Sequence, residues 1–334
     1  MTAFETRPFR PEDREAILAI GNRDQPPHRQ NTAASWARQD KRRKPELVDI
    51  RLVVPDPETD QAIAFLAAAD LNTTGFKMKD VCDFEITVAH ESRRRGIGGM
   101  LYGKALDFAR QRGAKRMVTS FHEWTPEEPA ITFLQQRGFA EQERETPSFL
   151  DLTRWDAAPY QSSITQAEAY GARLFTLAEA GETEENLHRY YDLEVPLIYD
   201  IPRRDEQPFT MEPYEDWRKF VVERPEWRPE LVVLAAVGGE WVGECHVAPK
   251  AEFPHVGMQW LTGVVKAHRG HGIATALKVR AYEKSREAGV TVMTTENHED
   301  NAPMLAINRK FGFQPEPAMV SYNKVMDAAA DTEA

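Results

Sequence analysis

The sequence predicts an α/β (α+β) protein in which one fold occurs twice in tandem, and three observations carry that prediction. Strand-like and helix-like segments alternate along all 334 residues. The segment Arg93-Arg94-Arg95-Gly96-Ile97-Gly98 returns 176 positions later as Arg269-Gly270-His271-Gly272-Ile273-Ala274. Around it the register holds without a gap: Ile97, Leu101 and Ala105 match Ile273, Leu277 and Ala281, and Gly113, Met117 and Thr119 match Gly289, Met293 and Thr295. A repeat of that length means a duplicated unit, and at ~150 residues per domain the chain holds about two. The halves are assigned to residues 1–156 and 170–327.

In chain order, 4–10 reads as a strand and 11–20 as a helix opened by proline, with a second helical stretch over 29–38. Apolar runs of strand length follow at 48–54, 62–69 and 81–88. The first glycine loop then opens a helix to about residue 112, with apolar residues at helical spacing. A strand at 117–121, a helix over 127–137 and a strand at 149–155 close the first half. Residues 156–169 are polar, lack an apolar period and read as the join. The second half repeats the order: a strand at 173–177, helical stretches through 217–222, and strands at 231–237, 241–247 and 258–265. The second loop and its helix, a strand at 291–296, a helix at 302–311 and a strand at 319–325 complete it, and 327–334 reads as a frayed acidic tail.

The duplicated turn has a definite chemistry. Where a strand turns into a helix, the first N–H groups lack helical partners and the helix dipole adds partial positive charge, so a phosphate fits there. Glycine at 96, 98, 270 and 272 lets phosphate oxygens reach the backbone and tolerates the φ values of a tight turn. The arginine can add a charge-assisted hydrogen bond. Neither copy has the lysine followed by Ser or Thr of a P-loop, which argues against a nucleoside triphosphate. The dinucleotide fingerprint also fits poorly, because Leu101 and Leu277 stand where it needs a small residue.

The two loops resemble the R/Q-x-x-G-x-G/A signature of the GNAT superfamily of acyl-coenzyme A dependent N-acetyltransferases. The second copy follows that pattern from Val264-Val265 through Arg269 to Ala274, then Thr295-Glu296-Asn297, Asn301 and Phe311-Gly312-Phe313; the first shows Val88, the loop and Arg137-Gly138-Phe139. The resemblance implies two GNAT folds, each with a mixed, mostly antiparallel sheet flanked by helices, and acetyl-CoA as cofactor. It implies that Val264 and Val265 pair with the pantetheine arm, that amides of Arg269, Gly270, His271, Gly272, Ile273, Ala274 and Thr275 hold the pyrophosphate, and that Asn301 and Asn308 lie at cofactor-facing positions, with helix capping an equal alternative for Asn301 and Asn297. Val88, Arg93, Arg94, Arg95, Gly96, Ile97, Gly98 and Gly99 are the first-copy counterparts. The first copy carries Ser120-Phe121-His122-Glu123-Trp124-Thr125-Pro126 where the second has its asparagines, so the second half is expected to be catalytic and the first degenerate or accessory.

Transfer to an amine needs a base, because an alkyl ammonium with a pKa of about 10.4 costs about 4 to 5 kcal/mol to neutralise at pH 7. Glu244 and His246, alternating on a strand before the second loop, are the candidates; a solvent-facing or hydrogen-bonded role is the simpler alternative for each. Many family members place a tyrosine four residues before the Gly-Phe, but Asn308 stands there and cannot donate a proton, which leaves Tyr322 as a possible substitute or a strand-packing residue. No nucleophile with an adjacent base presents itself, so attack is expected to be direct. Tyr190, Tyr191, Tyr199, Tyr214 and Trp217, set among Asp192, Asp200, Asp205, Glu206, Glu212, Glu215 and Asp216, would suit a cationic acceptor or simply form core and wet rim.

Composition bounds the rest. Net charge is −11, which disfavours a nucleic-acid partner despite the basic run at 38–44. Cys82 and Cys245 read as reduced core thiols, and no Cys/His spacing suggests a metal. The charged first residues and a longest apolar run of eight residues imply no leader and no membrane span, hence a cytoplasmic protein, monomer or homodimer. The leading expectation is acetyl transfer from acetyl-CoA to a small-molecule primary amine. A non-catalytic acyl-CoA-binding or sensing protein and a protein-lysine acetyltransferase are the alternatives.

Overall fold

A computed structural model of the chain describes residues 4–41, 43, 45–71, 78–123, 129–201, 211–224 and 226–326. The expected 327–334 tail, Trp124-Thr125-Pro126, Asp205 and Glu206 lie outside them. The chain forms two compact units, one of residues 1–144 with 317–334 and the other of 145–316. The contiguous halves 1–156 and 170–327 are thereby corrected: residues 145–156 belong with the second unit and the last strand with the first. Local patterning cannot assign a strand to a sheet, because pairing is made by residues distant in sequence.

In the first unit the strands β1 (Arg7–Pro8), β2 (Asp49–Pro55), β3 (Ala62–Asp70), β4 (Val81–Val88), β5 (Arg116–His122) and β13 (Met319–Val325) lie side by side in that order. All pairings are antiparallel except β4 with β5. That parallel step is crossed by helix α3 (Ile97–Gln111), whose Ile97, Leu101 and Ala105 recur every fourth residue and are buried against Leu66, Cys82, Met117 and Val320. Helices α1 (Arg14–Gly21) and α2 (Ala33–Lys41) pack with Ile17 and Trp36 against Val53 and Phe65. With both faces covered, β3 reads as a nearly unbroken apolar run, Ala62 to Ala69. Helix α4 (Pro129–Gln135) completes the unit.

The second unit repeats this plan with β7 (Arg173–Thr176), β8 (Val232–Val237), β9 (Glu240–Pro249), β10 (Val256–Val264), β11 (Val292–His298) and residues 145–151 of β6 (Ala140–Asp151). Only β10 and β11 pair in parallel, bridged by α9 (Ile273–Glu287). Helices α7 (Glu184–Tyr199) and α8 (Tyr214–Val221) stand where the first unit has α1 and α2, and α10 (Ala302–Phe311) where it has α4. The short β12 (Gln314–Pro315) pairs with β6, and α6 (Leu177–Ala180) follows β7. The mixed, mostly antiparallel sheet expected of each half is therefore present in each.

The join is the largest local departure. Residues expected to be irregular form helix α5 (Gln161–Ala169), sequence Gln-Ser-Ser-Ile-Thr-Gln-Ala-Glu-Ala. It lacks an apolar stripe because only Ala167 is buried and Ile164 half-buried, both against the core under α9. Its stability comes from that docking, since so short a helix is marginal by itself.

Candidate functional site

In the first unit β4 runs into the glycine loop and α3 begins at Ile97 behind Gly96, whose φ is +86°. A Cβ on Gly96 would meet nothing within 4 Å, so the backbone at the helix start is open to a ligand. Arg93 donates Nε–H to the carbonyl of Val88 at 3.2 Å, bracing the turn. The equivalent Arg269 does the same to Val264 at 2.8 Å. The repeated arginine thus ties loop to strand, a role its position in the sequence did not reveal. Arg94 holds φ +62°, a left-handed conformation taken by Gly270 at +84° in the other copy.

Beside this loop the sheet opens. Pairing between β4 and β5 ends at Asp83 with Val118, leaving the edge of β4 from Phe84 to Val88 without a sheet partner on that side. Pairing of β10 with β11 ends likewise at Met258 with Thr294. An extended ligand arm bearing amides can take such an edge as an added strand does.

On the face under α1 and α2 the first unit holds a cavity of about 290 Å³, whose lining includes Gln39, Arg51, Ala67, Glu85 and Thr87. Asp83, Glu85 and Thr87 share one side of β4 by the two-residue strand period. Glu85 is reached by water in the cavity yet ringed by protein, and this desolvation raises its pKa above the ordinary value; a hydrogen bond from Thr87 (3.3 Å) and the charge of Arg51 act the other way. A cavity wall is wet but poorly solvated, and the raised direction follows from the second property. Burial, then the Glu85 charge, pushes Asp83 up to about 6.

A family model described as Acetyltransferase (GNAT) family matches residues 17–139 and 195–313. The chain belongs to that family. Its fold is shared by a GCN5-related N-acetyltransferase from Sphaerobacter thermophilus, with TM-score 0.71, 17% identity, and coverage of 96% of this chain and 95% of that one. A tandem GNAT protein from the clavulanic acid biosynthesis pathway gives TM-score 0.70 and 20% identity, covering 96% and 98%. A GCN5-related glucosamine N-acetyltransferase region of a fungal multi-domain β-N-acetylglucosaminidase gives 0.70 and 12%, covering 96% of this chain and 38% of that one. A comparison with curated protein sequences gives no match. GNAT membership brings N-acetyl transfer and acyl-CoA binding in general. No helix among the described residues is long and apolar enough to cross a membrane, and these residues hold no His/Cys/Asp/Glu cluster suited to a metal.

The second GNAT loop has the same backbone and different surroundings. A Cβ on Gly272 (φ +77°) would stand 2.5 Å from the carbonyl oxygen of Ser163 on α5. Gln166 donates to the Gly270 carbonyl at 3.2 Å, and Tyr170 stacks on His271 with ring centres 3.7 Å apart. Asp200 takes up the local charge, bonding Lys266 at 2.8 Å and Arg269 at 2.6 Å. The Ser163 carbonyl now stands over Gly272, and the charges of Lys266 and Arg269 are already met by Asp200. The turn is thus covered at Gly272, while in the first copy it is open at Gly96, with Phe133 3.4 Å from a Cβ on Gly98 and Arg137 3.6 Å from one on Gly99.

The acceptor face differs in the same sense. By cross-strand pairing, Glu244 and His246 of β9 occupy the places of Phe65 and Ala67, and Leu261 and Gly263 those of Glu85 and Thr87. A Cβ on Gly263 would press within 3.0 Å of Leu197, which fills this space from α7. Glu244 and His246 are 0% and 5% exposed. Tyr190 donates to Glu244 Oε2 at 2.7 Å and lies 3.4 Å from His246 Nδ1. Burial raises the Glu244 pKa well above its ordinary range and lowers His246 to about 4. Burial also lifts Glu194, which accepts from Trp217 Nε1, to about 7. Both candidate bases are therefore core groups closed off from an acceptor, a consequence of helix packing that strand alternation does not report. Tyr190 and Trp217 are core as well, while Asp192, Asp216 and Glu215 lie nearer the surface.

The remaining expected residues separate. Tyr322 is 2% exposed, stacks on Phe121 at 5.5 Å and belongs to the first unit. Asn301 caps α10 by accepting from Met304 N–H at 3.4 Å. Asn308 is buried, accepts from Lys278 at 2.6 Å and donates to Asn297 at 2.6 Å. Cys82 and Cys245 are free and buried, as expected of core thiols. Sequence reasoning passed over Glu85, although Asp83-Phe84-Glu85-Ile86-Thr87 alternates polar and apolar directly before the first loop.

Proposed function

We propose that this protein transfers an acetyl group from acetyl-CoA to a primary amine of a small molecule, and that the first unit performs the transfer. The carrying observation is Glu85, a carboxylate lining a cavity on the same strand that runs into the open Gly96 turn. Bound acetyl-CoA supplies an activated thioester as acyl donor. Backbone N–H groups at the start of α3 would receive its phosphates, with the basic Arg93-Arg94-Arg95 segment nearby, and the unpaired edge of β4 would receive its arm. Glu85 accepts the proton of the acceptor ammonium; desolvation raises its pKa and so makes its carboxylate a stronger base than an ordinary one. No tyrosine occupies the place four residues before Gly138, where Leu134 is buried, so the leaving sulfur takes its proton from solvent or from the acceptor nitrogen in this reading.

A cavity of about 290 Å³ favours a small molecule over a protein lysine on a folded surface. The second unit, with its loop and acceptor face both filled, then acts as a supporting copy. Calorimetric titration of acetyl-CoA tests this assignment: one site per chain is expected, lost in Gly96→Glu and retained in Gly272→Ala. A site that survives Gly96→Glu, in protein shown folded by circular dichroism, overturns it. Release of coenzyme A thiol across a broad amine panel tests the transfer itself.

A further inference from the structure

The cavity carries two opposite charges that do not meet. Arg51 of β2, Ala67 of β3 and Glu85 of β4 form one cross-strand row, paired Arg51 with Ala67 and Ala67 with Glu85. All three line the cavity. Arg51 is held by other partners, donating to Asp40 Oδ1 at 2.5 Å with its Nε 3.4 Å from Asp49, while Glu85 is bonded by Thr87. Those two aspartates are shared with Arg14, at 2.6 Å from Asp40, and with Arg43, which pairs with Asp49. On the Arg51 side of the cavity Arg14, Arg43 and Arg51 thus gather around Asp40 and Asp49.

Geometry gives the size of the gap. Two strand spacings separate the ends of the row by about 9.6 Å, and side chains stand roughly perpendicular to the sheet. A small ligand with an ammonium at one end and a carboxylate at the other, as in an α- or β-amino acid, can span such a row with one charge-assisted hydrogen bond at each end. Alanine at 67 keeps the floor between the two charges clear, and Gln39, Ser35 and Asn22 line the opposite wall with neutral polar groups.

We infer that the acceptor is a zwitterion, a small α- or β-amino acid whose carboxylate is read by Arg51 and whose ammonium is presented to Glu85 across Ala67. This rests on the assignment of transfer to the first unit, and it adds the anionic group that the acceptor must bear. Arg51 on this reading is a specificity residue that the reaction itself does not use.

The test is a panel of L-amino acids and β-alanine, each beside its carboxamide, which keeps the amine and removes the negative charge. Binding to the acetyl-CoA-saturated protein is measured by calorimetry, and turnover by coenzyme A release with mass spectrometry of the product. A charge-assisted hydrogen bond of this kind predicts a preference of about 10- to 100-fold for at least one free acid over its amide. Arg51→Met should collapse that preference to near unity, and Arg51→Lys should restore part of it. Equal binding of acids and amides by the wild-type protein overturns the inference, as does a preference that survives in folded Arg51→Met. Should Arg51→Met not fold, the wild-type ratio and Arg51→Lys still decide. Selective binding of acids without coenzyme A release would sink the proposed transfer while leaving the zwitterion site standing, so the two failures are distinguishable.

Discussion

Gly96 and Gly272 hold the same place in two copies of one turn, with φ +86° and +77°, and meet opposite surroundings. Gly96 opens onto free space, and Gly272 is roofed by the Ser163 carbonyl of α5. The acceptor faces repeat the contrast: the first unit has Glu85 beside a cavity, and the second has Leu197, Tyr190 and Glu244 packed into its counterpart. The lesson is that a motif records what a backbone can bind, while access is decided by whatever else packs there. The second copy preserves the signature more fully, yet its glycine now serves close helix packing, the other reason for having no Cβ.

The sharpest test of the comparison exchanges one oxygen for nitrogen in each unit. Glu85→Gln should lower kcat on any accepted amine by about 10²- to 10⁴-fold, the usual contribution of a positioned base, with acetyl-CoA binding unchanged. Glu244→Gln, in a fully buried side chain whose pKa burial raises, should leave kcat within a factor of about two of wild type. Equal losses in both variants would erase the distinction between the units. Because the Glu85 pKa is raised, wild-type activity should fall as pH drops through a value above that of an ordinary glutamate, and a rate profile flat across that range would remove Glu85 from the role.

Next in size are the two glycines themselves. Gly272→Ala should cost roughly 2 to 5 kcal/mol, combining about 1–2 for a left-handed alanine with about 1–3 for pressing on α5. Gly96→Ala should cost only the first part, about 1–2 kcal/mol. Denaturant unfolding of both variants reads the difference, and similar costs would mean that α5 yields freely.

A smaller effect lies in the filled acceptor face. Glu194 has a folded pKa of about 7 against 4.5 unfolded, so between those values the folded state binds more protons and stability falls as pH rises. The slope is at most about 1.4 kcal/mol per pH unit for one such group. His246, lowered to about 4, opposes it below 6.5, because there the unfolded state binds more protons. Glu194→Gln should therefore flatten the decline, most visibly between pH 6.5 and 7, and an unchanged pH–stability curve would show that the carboxyl is better solvated than its packing implies.

The smallest effect sharpens the likeness of the loops. Arg94→Gly converts φ +62° from a strained to an easy conformation, and should stabilise by about 1 kcal/mol or less once the greater freedom of unfolded glycine is subtracted. A loss of stability would show that the Arg94 side chain contributes contacts outweighing its strain.

Local patterning along the chain is enough to show the duplication, most of the order of strands and helices, both glycine loops and the family. Ile97, Leu101 and Ala105 repeat at helical spacing whatever surrounds them, and the turns need glycine at fixed φ; both are local properties of the chain. The polar α5 was illegible because almost nothing in it is apolar, and only docking onto α9 makes it a helix. Tyr322 and the last strand could not be assigned because their partners, Phe121 and β5, lie some 200 residues earlier. The same holds for the candidate bases. Glu85 and Glu244 look alike on their strands, and which of them meets water depends on whether Leu197 or empty space lies opposite, a matter of contacts between distant residues that tertiary packing alone decides.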